Sequence, residues 1–186
     1  MKRLFDLFLA FLFLFLFAWL YILLVIAIKF SSKGPVLYWS SRVGVNNKLF
    51  NMPKFRSMKE DTPIIATHLI IRPEEYLTRI GRFIRRSSLD ELPQLYSIIK
   101  GDMSFVGPRP ALFNQDDLIA LRSKKGIDKL LPGVTGLAQI NGRDELSISE
   151  KVIFEIEYLE NRSFWLDLKI IFMTFIKVIN NNGISH

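Results

Sequence analysis

Two neighbouring carboxylates, Asp90 and Glu91, lie in the part of the sequence that is richest in potential chemistry. They follow Ser88 and precede Pro93, and because proline is tolerated only near the start of a helix, a helix should begin close to Ser88. Ser88 and Glu91 also have the spacing of a capping box. The positive end of the helix dipole is expected to lower the pKa of Asp90 and keep it ionised. Such an aspartate can act as a nucleophile and its neighbour can bind a hard metal ion, although ordinary helix capping is an alternative.

Positively charged residues lie on both sides of this pair in the sequence. Arg85 comes shortly before it, and Arg109 follows it between two prolines that restrict its backbone. An arginine that is fixed in this way suits bidentate contact with phosphate. Lys54 and Arg56 are two residues apart, so a strand would place both on one face. Each cation alone is typical of a solvated surface, but several cations near two carboxylates favour phosphoryl transfer assisted by a cation such as Mg²⁺.

The composition excludes several other chemistries. The chain of 186 residues has no cysteine and only two histidines, His68 and His186. Thiolate nucleophiles and cysteine metal sites are therefore excluded, and a histidine-based zinc site or triad is disfavoured. The net charge of +7 favours partners that carry phosphate, whether nucleotides, anionic lipids or nucleic acid. We expect no nucleic-acid partner, because the sequence has no helix-turn-helix or RNA-binding signature.

An uncharged apolar segment extends from Leu7 to Ile28. It is longer than the apolar core of a signal peptide, about 7–15 residues, and no cleavage site follows it. At about 1.5 Å per residue it could cross a bilayer. Lys2 and Arg3 precede it, however, and residues 29–33 contain two further lysines, so both flanks favour the cytoplasm. A re-entrant helix with a break near its middle would keep both ends on that side; a spanning helix is the alternative.

The rest of the pattern predicts an α+β domain that is mostly helical. We expect a membrane-inserted helix over residues 1–30 and a cytoplasmic catalytic domain over residues 31–186. A short β-hairpin is predicted from strands Val36–Trp39 and Leu49–Met58, with its tip at Asn46-Asn47. Helices are predicted over Glu74–Arg86, Leu89–Lys100, Ala111–Lys124 and Ser147–Glu160, and a loop over Leu131–Gly142. Phe164–Ile179 is apolar but interrupted by charges, so it is either a core helix or an amphipathic helix in the membrane interface.

The order of these features resembles the monotopic polyprenyl-phosphate phosphoglycosyl transferases, the bacterial sugar transferase family. The matching runs are Lys2–Asp6 (KRLFD), Ser32–Val36 (SKGPV), Lys54–Met58 (KFRSM), Ser88–Gln94 (SLDELPQ), Lys100–Pro110 (KGDMSFVGPRP), Pro132–Arg143 (PGVTGLAQINGR) and Leu166–Lys169 (LDLK). They cover nearly the whole chain, and several such runs together are very specific.

The resemblance implies a reaction and a role for each matching residue. Asp90 would attack the β-phosphate of a UDP-sugar, release UMP and form a covalent phospho-sugar intermediate, which polyprenyl phosphate then attacks. Asp90 and Glu91 would form the catalytic dyad and the Mg²⁺ site. The implied substrate-binding residues are Lys54, Arg56, Arg85, Arg109, Gln139, Arg143 and Asp167. The product would be a polyprenyl-diphosphate-sugar for capsule, O-antigen or glycoprotein glycan assembly, made at the cytoplasmic face of the bacterial inner membrane with undecaprenyl phosphate and membrane lipids as partners.

Two positions depart from the family pattern. Family members usually carry a Ser-Pro pair that breaks the membrane helix, where this chain has Ala18-Trp19, and Leu131 replaces the usual arginine before Pro-Gly. The overall pattern is most similar to members that use UDP-linked N-acetylated 6-deoxy sugars, such as N-acetylfucosamine. Two other functions fit part of the sequence: a membrane-tethered basic adaptor for lipid or nucleic acid, and a membrane hydrolase that uses the same carboxylates with water.

Overall fold

The computed structural model describes residues 1–59, 62, 72–142 and 146–179. Within these residues the chain is mainly helical, with short strands. The helices are α1 (Lys2–Ser31), α2 (Arg79–Arg86), α3 (Leu95–Lys100), α4 (Asp116–Lys124), α5 (Leu137–Asn141), α6 (Ile148–Asn161) and α7 (Phe164–Ile179). The strands are β1 (Leu37–Val43), β2 (Leu49–Phe55), β3 (Ser104–Val106) and β4 (Gly133–Thr135). Short 3₁₀ helices cover Val45–Asn47, Pro73–Tyr76, Leu89–Gln94 and Ile127–Lys129.

Helix α1 is long and apolar enough to cross a membrane, and only 11% of its most apolar stretch is buried in the protein. It contains neither proline nor glycine, so its hydrogen-bond ladder continues for 30 residues. The break expected near Ala18-Trp19 is therefore wrong. One side of the helix packs on the domain and buries Ala10 and Ile28, while large side chains such as Phe15 and Phe30 are exposed.

Strands β1 and β2 form the predicted hairpin, in which Tyr38 pairs with Lys54. Its tip is at Asn46 and Asn47 as predicted, and both have positive φ, which asparagine tolerates better than most residues. The boundaries differ from the prediction. Strand β1 extends to Val43 because the amide of that residue donates to the carbonyl oxygen of Ala111 at 3.0 Å, which gives the strand a second partner.

Several predicted helices have different boundaries in the structure. The predictions for α6 and α7 are confirmed, and the Ser147–Glu150 capping box begins α6. The helix predicted from Glu74 starts at Arg79 instead, and the one predicted from Leu89 is a 3₁₀ helix followed by α3. The predicted loop before Gly142 contains β4 and α5, which are too short to show a clear period in the sequence.

The hydrophobic core has two parts that both include residues of α1. One contains Ala10 with Ile98 and Met103, and the other contains Leu24 and Ile28 with side chains of β2 and α2. Helix α1 therefore packs on the domain near both of its ends. The division at residue 30 stays a prediction.

Candidate active site

Strand β2 and the 3₁₀ helix Leu89–Gln94 bring together three predicted site residues, Lys54, Asp90 and Glu91. Lys54 Nζ lies 2.8 Å from Oε1 of Glu91, and Arg109 Nη2 lies 2.9 Å from the same oxygen. Asp90 precedes Glu91 on the 3₁₀ helix and is 7% exposed. The carboxylate pair is thus partly buried, and two cations from distant parts of the sequence meet at one of its oxygens.

The local structure around the pair differs from the predicted capping box. Ser88 has φ 55° and makes no side-chain cap hydrogen bond; its carbonyl oxygen accepts from the backbone amide of Glu91 at 3.2 Å. Pro93 lies inside the 3₁₀ helix, where i→i+3 bonding accommodates it near the start of α3. The side chain of Glu91 is consequently directed to Lys54 and Arg109 rather than to the backbone of Ser88.

The buried position of Asp90 changes its acidity in the direction opposite to that predicted. The pKa of Asp90 is raised to about 6, mainly because burial disfavours the charged form; Glu91 also raises the pKa, while Lys54, Arg85 and Arg109 lower it. At pH 7 the carboxylate is mainly ionised, because the opposing cations keep its pKa below neutrality. Among the described residues, the Asp90 carboxylate has no hydrogen-bond or ion-pair partner, so its oxygens are not committed to another group.

Lys54 shows the complementary effect. Burial lowers its pKa, the Glu91 carboxylate opposes that change, and the Arg109 guanidinium adds to it. A cation that is removed from water beside other cations is well placed to receive an additional anion. The site therefore has the electrostatic character of a pocket for phosphate.

The backbone before Arg109 is held by close packing of glycines. A Cβ atom on Gly107 would lie 2.2 Å from the carbonyl oxygen of Leu131, and one on Gly133 would lie 2.1 Å from the amide nitrogen of Gly107. Only glycine fits at these positions, because any side chain would displace the backbone. The parallel pairing of β3 with β4 thus fixes the segment that presents Arg109 to Glu91.

Arg42 is a further cation of the site that the sequence interpretation did not assign. Its Nη1 donates to the carbonyl oxygen of Pro110 at 3.2 Å, directly after Arg109, and its charge contributes to lowering the pKa of Lys54. Arg42 and Lys54 lie on the same face of the hairpin, since Lys54 pairs with Tyr38 and Arg42 is four residues further along β1, an even number of positions. That Arg42 belongs to this group of cations could be inferred only once the register of the hairpin was known.

Two other predicted cations have different positions. Arg85 on α2 lowers the pKa of Asp90, and its Nη1 donates to the sulfur of Met58. Arg56 directly follows β2, and its backbone amide donates to the carbonyl oxygen of Val36 at 2.8 Å. Its Nη2 donates to the carbonyl oxygen of Ser32 at 2.9 Å, just after α1.

Two further predicted substrate-binding residues, Asp167 and Gln139, have other surroundings in the structure. Asp167 on α7 lies 2.5 Å from Lys2 Nζ and accepts a hydrogen bond from the Tyr158 hydroxyl at 2.7 Å. Gln139 on α5 has a buried side-chain amide whose nitrogen and oxygen have no hydrogen-bond partner in the part of the chain that the structure describes. Arg143, like His68 and His186, lies outside the described residues.

Asp90 and Glu91 have the donor chemistry that Mg²⁺ requires. Mg²⁺ is commonly held by one or two carboxylates together with substrate phosphates and water, rather than by a cage of protein ligands. The described residues contain no group of three or more possible ligands that could hold a metal ion alone. A magnesium site here would therefore be completed by the substrate.

The fold and the site together combine a long apolar helix with a carboxylate pair that is surrounded by cations. The chain belongs to the bacterial sugar transferase family, whose model matches residues 1–181. It is 42% identical over 96% of its length to an undecaprenyl-phosphate glucose phosphotransferase of Komagataeibacter xylinus, of which it spans 36%. It is 38% identical over its whole length to the uncharacterized sugar transferase EpsL of Bacillus subtilis, of which it covers 90%.

A third relative is the UDP-glucose:undecaprenyl-phosphate glucose-1-phosphate transferase of Escherichia coli, which is 39% identical over 98% of this chain. The chain spans 41% of that protein. The matched region of the two longer relatives is therefore only part of each protein. In this chain, the matched region includes Asp90, Glu91 and the cations around them.

Proposed function

We propose that this chain transfers a sugar phosphate from a UDP-sugar to undecaprenyl phosphate and releases UMP. The observation that carries the proposal is the buried carboxylate of Asp90, which has no partner among the described residues, beside a Glu91 that contacts Lys54 and Arg109. Such an arrangement provides a nucleophile together with positive charge for phosphate oxygens. The family membership and the activities for which the relatives are named support the same reaction.

The first step would be an attack of an Asp90 oxygen on the β-phosphorus of the UDP-sugar. A bond forms between that oxygen and phosphorus, the bond from phosphorus to the oxygen bridging the two phosphates breaks, and the electron pair leaves with UMP. Lys54 and Arg109 would bind the non-bridging oxygens, whose charge increases in the transition state. Their contact with Glu91 keeps them at the site before the substrate arrives.

In the second step a phosphate oxygen of the polyprenyl phosphate attacks the same phosphorus. The bond to Asp90 breaks, the aspartate regains its carboxylate, and a polyprenyl-diphosphate-sugar is released. Asp90 suits both steps, because a carboxylate with a pKa of about 6 is ionised for attack and is also a competent leaving group at neutral pH.

Asp90 and Glu91 would hold Mg²⁺ together with the diphosphate. The ion would supply positive charge that neutralises the phosphate oxygens. Lys54 and Arg109, which contact Glu91, would remain beside it and bind the oxygens that the ion does not reach.

The side chain of Gln139 is the candidate for recognising the uracil base. A primary amide can donate to a carbonyl oxygen and accept from the imide N–H of uracil, and both Gln139 atoms lack partners among the described residues. The sugar would be chosen elsewhere. The sequence resemblance predicts an N-acetylated 6-deoxy sugar such as N-acetylfucosamine, whereas two relatives are named for glucose, so both types belong in the first substrate panel.

We further propose that α1 enters the membrane without crossing it. Near its start, Asp6 accepts from the Ser104 hydroxyl at 2.9 Å, and in its second half the Tyr21 hydroxyl donates to the carbonyl oxygen of Leu92. Ser104 and Leu92 belong to the same domain, so a helix that crosses the bilayer would carry one of these polar contacts into the hydrocarbon core, which is about 30 Å thick. The exposed apolar side of α1 would then face lipid, with the catalytic domain at the cytoplasmic surface, where UDP-sugars are available.

The test of the activity is the release of UMP from a panel of UDP-sugars with Mg²⁺ and undecaprenyl phosphate. We expect sustained release only when the lipid acceptor is present, in an amount equal to the lipid-linked product. Release that needs no acceptor would identify a hydrolase. No release with any UDP-sugar would favour a membrane-tethered binding protein without catalytic activity.

The topology is tested separately in this cysteine-free chain. One variant carries a cysteine inserted between Met1 and Lys2, and a second carries Lys33→Cys. A membrane-impermeant thiol reagent added to intact cells should label neither position, and both should react after the cells are opened. Labelling of the first position alone in intact cells would show that α1 spans the membrane.

A further inference from the structure

One face of α2 carries three arginines that the proposed chemistry does not use. Arg79, Arg82 and Arg86 are exposed, and together with Phe83 they fall within about 100° of the helix circumference. Phe83 lies among them and is 61% exposed. Within the described residues, none of these three arginines has a carboxylate partner. We call these four residues the basic face of α2.

The other side of α2 fixes how the basic face is presented. Ile84 is fully buried, and a Cβ atom on Gly81 would lie 1.8 Å from the carbonyl oxygen of Ser57, so the backbone of the helix is in direct contact with the domain. Thr78 caps the helix by accepting from the Gly81 amide. Rotation of α2 about its axis would break these contacts, and the arginines are therefore held outward.

Helix α2 also lies against the end of α1. Its Ile80 and Ile84 pack with Leu24 and Ile28 of α1. The same end of α1 carries Lys29 and the exposed apolar residue Phe30, and Lys33 follows shortly after. The basic face of α2 is thus close to the point where an exposed apolar helix meets a further group of cations.

We propose that the basic face of α2 binds the phosphate headgroups of anionic phospholipids at the surface of the membrane that α1 enters. Guanidinium groups form bidentate contacts with phosphate, and an anionic leaflet attracts clustered arginines near its surface. The exposed ring of Phe83 would enter the apolar side of the interface, as aromatic residues of interfacial helices do. Continuity with the lipid-facing side of α1 favours a membrane over a soluble polyanion.

This contact would act next to the active site. Arg85 belongs to the same helix and lowers the pKa of Asp90. Arg85 itself is only partly exposed, whereas the residues of the basic face are exposed. Headgroups bound to Arg82 and Arg86 would therefore hold the helix that carries Arg85 at the membrane surface, where the polyprenyl phosphate acceptor must arrive. The proposal shares the membrane placement of α1 with the proposed function but does not depend on the reaction.

The test measures which lipid surrounds the basic face. The full-length chain with Phe83→Cys, labelled with an aromatic thiol-reactive fluorophore, is placed in nanodiscs that contain a fixed fraction of spin-labelled phosphatidylglycerol or spin-labelled phosphatidylcholine. We expect quenching by the anionic lipid to exceed quenching by the zwitterionic lipid at least about threefold, because each cation near the surface enriches anionic lipid severalfold. In about 1 M salt the excess should disappear, since the Debye length falls to about 3 Å.

Three variants separate charge from other causes. Replacing Arg79, Arg82 and Arg86 with glutamine should reduce the quenching ratio to about one, and replacing them with lysine should retain most of it. A matched control that replaces the exposed Lys124, Lys125 and Lys129 with glutamine removes the same charge and should leave the ratio unchanged. Equal quenching by the two lipids in the labelled protein, or quenching by neither, would overturn the proposal even if the enzyme transfers sugar phosphate as proposed.

Discussion

Two buried acidic clusters lie at different places in this molecule, and they differ in how their carboxylates are satisfied. Asp167 lies between Lys2 and the Tyr158 hydroxyl, both within hydrogen-bonding distance. Asp90 is equally buried and surrounded by cations, but its carboxylate has no direct partner among the described residues. A carboxylate that is already bonded on both sides holds elements together, whereas one that is held in a positive field without a partner is available to react.

Substitution of the two aspartates should separate these roles most strongly. Asp90→Asn should reduce turnover at least about a thousandfold, because an amide cannot form the phosphoryl bond. Asp167→Asn should change the rate of a single turnover by less than about tenfold in the fraction that is folded. UMP release measured under single-turnover conditions provides both rates. More than a few per cent of activity in Asp90→Asn would point to water or Glu91 as the attacking group.

Arg109 tests whether the positive field around Asp90 serves the substrate. Arg109→Ala should lower kcat/KM for the UDP-sugar by about 2–4 kcal/mol, the loss of one charge-assisted contact in a partly dry site. Arg109→Lys should restore only part of it, because an ammonium group cannot reproduce the planar fork. Steady-state kinetics of the three proteins make the comparison, and equal values for the wild type and the alanine variant would make Arg109 structural.

The two clusters should also respond in opposite directions when protein stability is measured. Folding raises the pKa of Asp90 from 3.8 to about 6, so the ionised form destabilises the folded state at neutral pH by at most about 3 kcal/mol. Asp90→Asn should therefore increase the free energy of unfolding near pH 7.5. Asp167→Asn should decrease it by about 1–3 kcal/mol, because an amide has one acceptor oxygen and can accept from only one of Lys2 and Tyr158.

Thermal unfolding in detergent at two pH values checks the sign of the stability change caused by Asp90→Asn. A group whose pKa is raised by folding contributes its full stability below the unfolded pKa and loses it as the pH rises through the folded pKa. The advantage of Asp90→Asn should accordingly be present above about pH 6 and vanish below about pH 4. An Asp90→Asn protein that is less stable than the wild type at pH 7.5 would show that the Asp90 carboxylate has a stabilising partner.

The pH dependence of the activity should reflect the same ionisation of Asp90. With a pKa of about 6, Asp90 is increasingly protonated in more acidic solution, so kcat/KM should fall about tenfold per pH unit below pH 6. Asp167→Asn should keep this profile. A profile recorded from pH 4.5 to 8 measures it, and a rate that is flat down to pH 5 would assign a lower pKa to the nucleophile.

Local patterns in the sequence predict part of this picture. Gly101 ends α3 with φ 99°, and the tip of the hairpin lies at Asn46 and Asn47, because these residues determine their own backbone conformation. The grouping of cations around Asp90 and Glu91 was also predictable from their neighbours and from the family resemblance. Each of these inferences depends on a few adjacent residues.

The contacts between distant segments were not predictable in the same way. Arg56 contacts Ser32, which is 24 residues earlier in the chain, and Asp167 contacts Lys2 at the start of α1. The raised pKa of Asp90 depends on burial by the whole domain, which outweighs the helix-end effect expected from local sequence. Burial and long-range packing therefore decide which charged residues lie beside Asp90 and Glu91.

The central claim is that Asp90 becomes covalently attached to the sugar phosphate, and the mass of the intact protein tests it most directly. Purified enzyme is mixed with UDP-sugar and Mg²⁺ without a polyprenyl phosphate acceptor, quenched in acid and analysed by mass spectrometry. We predict a mass increase of one phospho-sugar that maps to the peptide containing Asp90, is absent in Asp90→Asn and disappears when undecaprenyl phosphate is added. Full lipid-dependent turnover with no adduct at any time, or an adduct that persists in Asp90→Asn, would contradict the account.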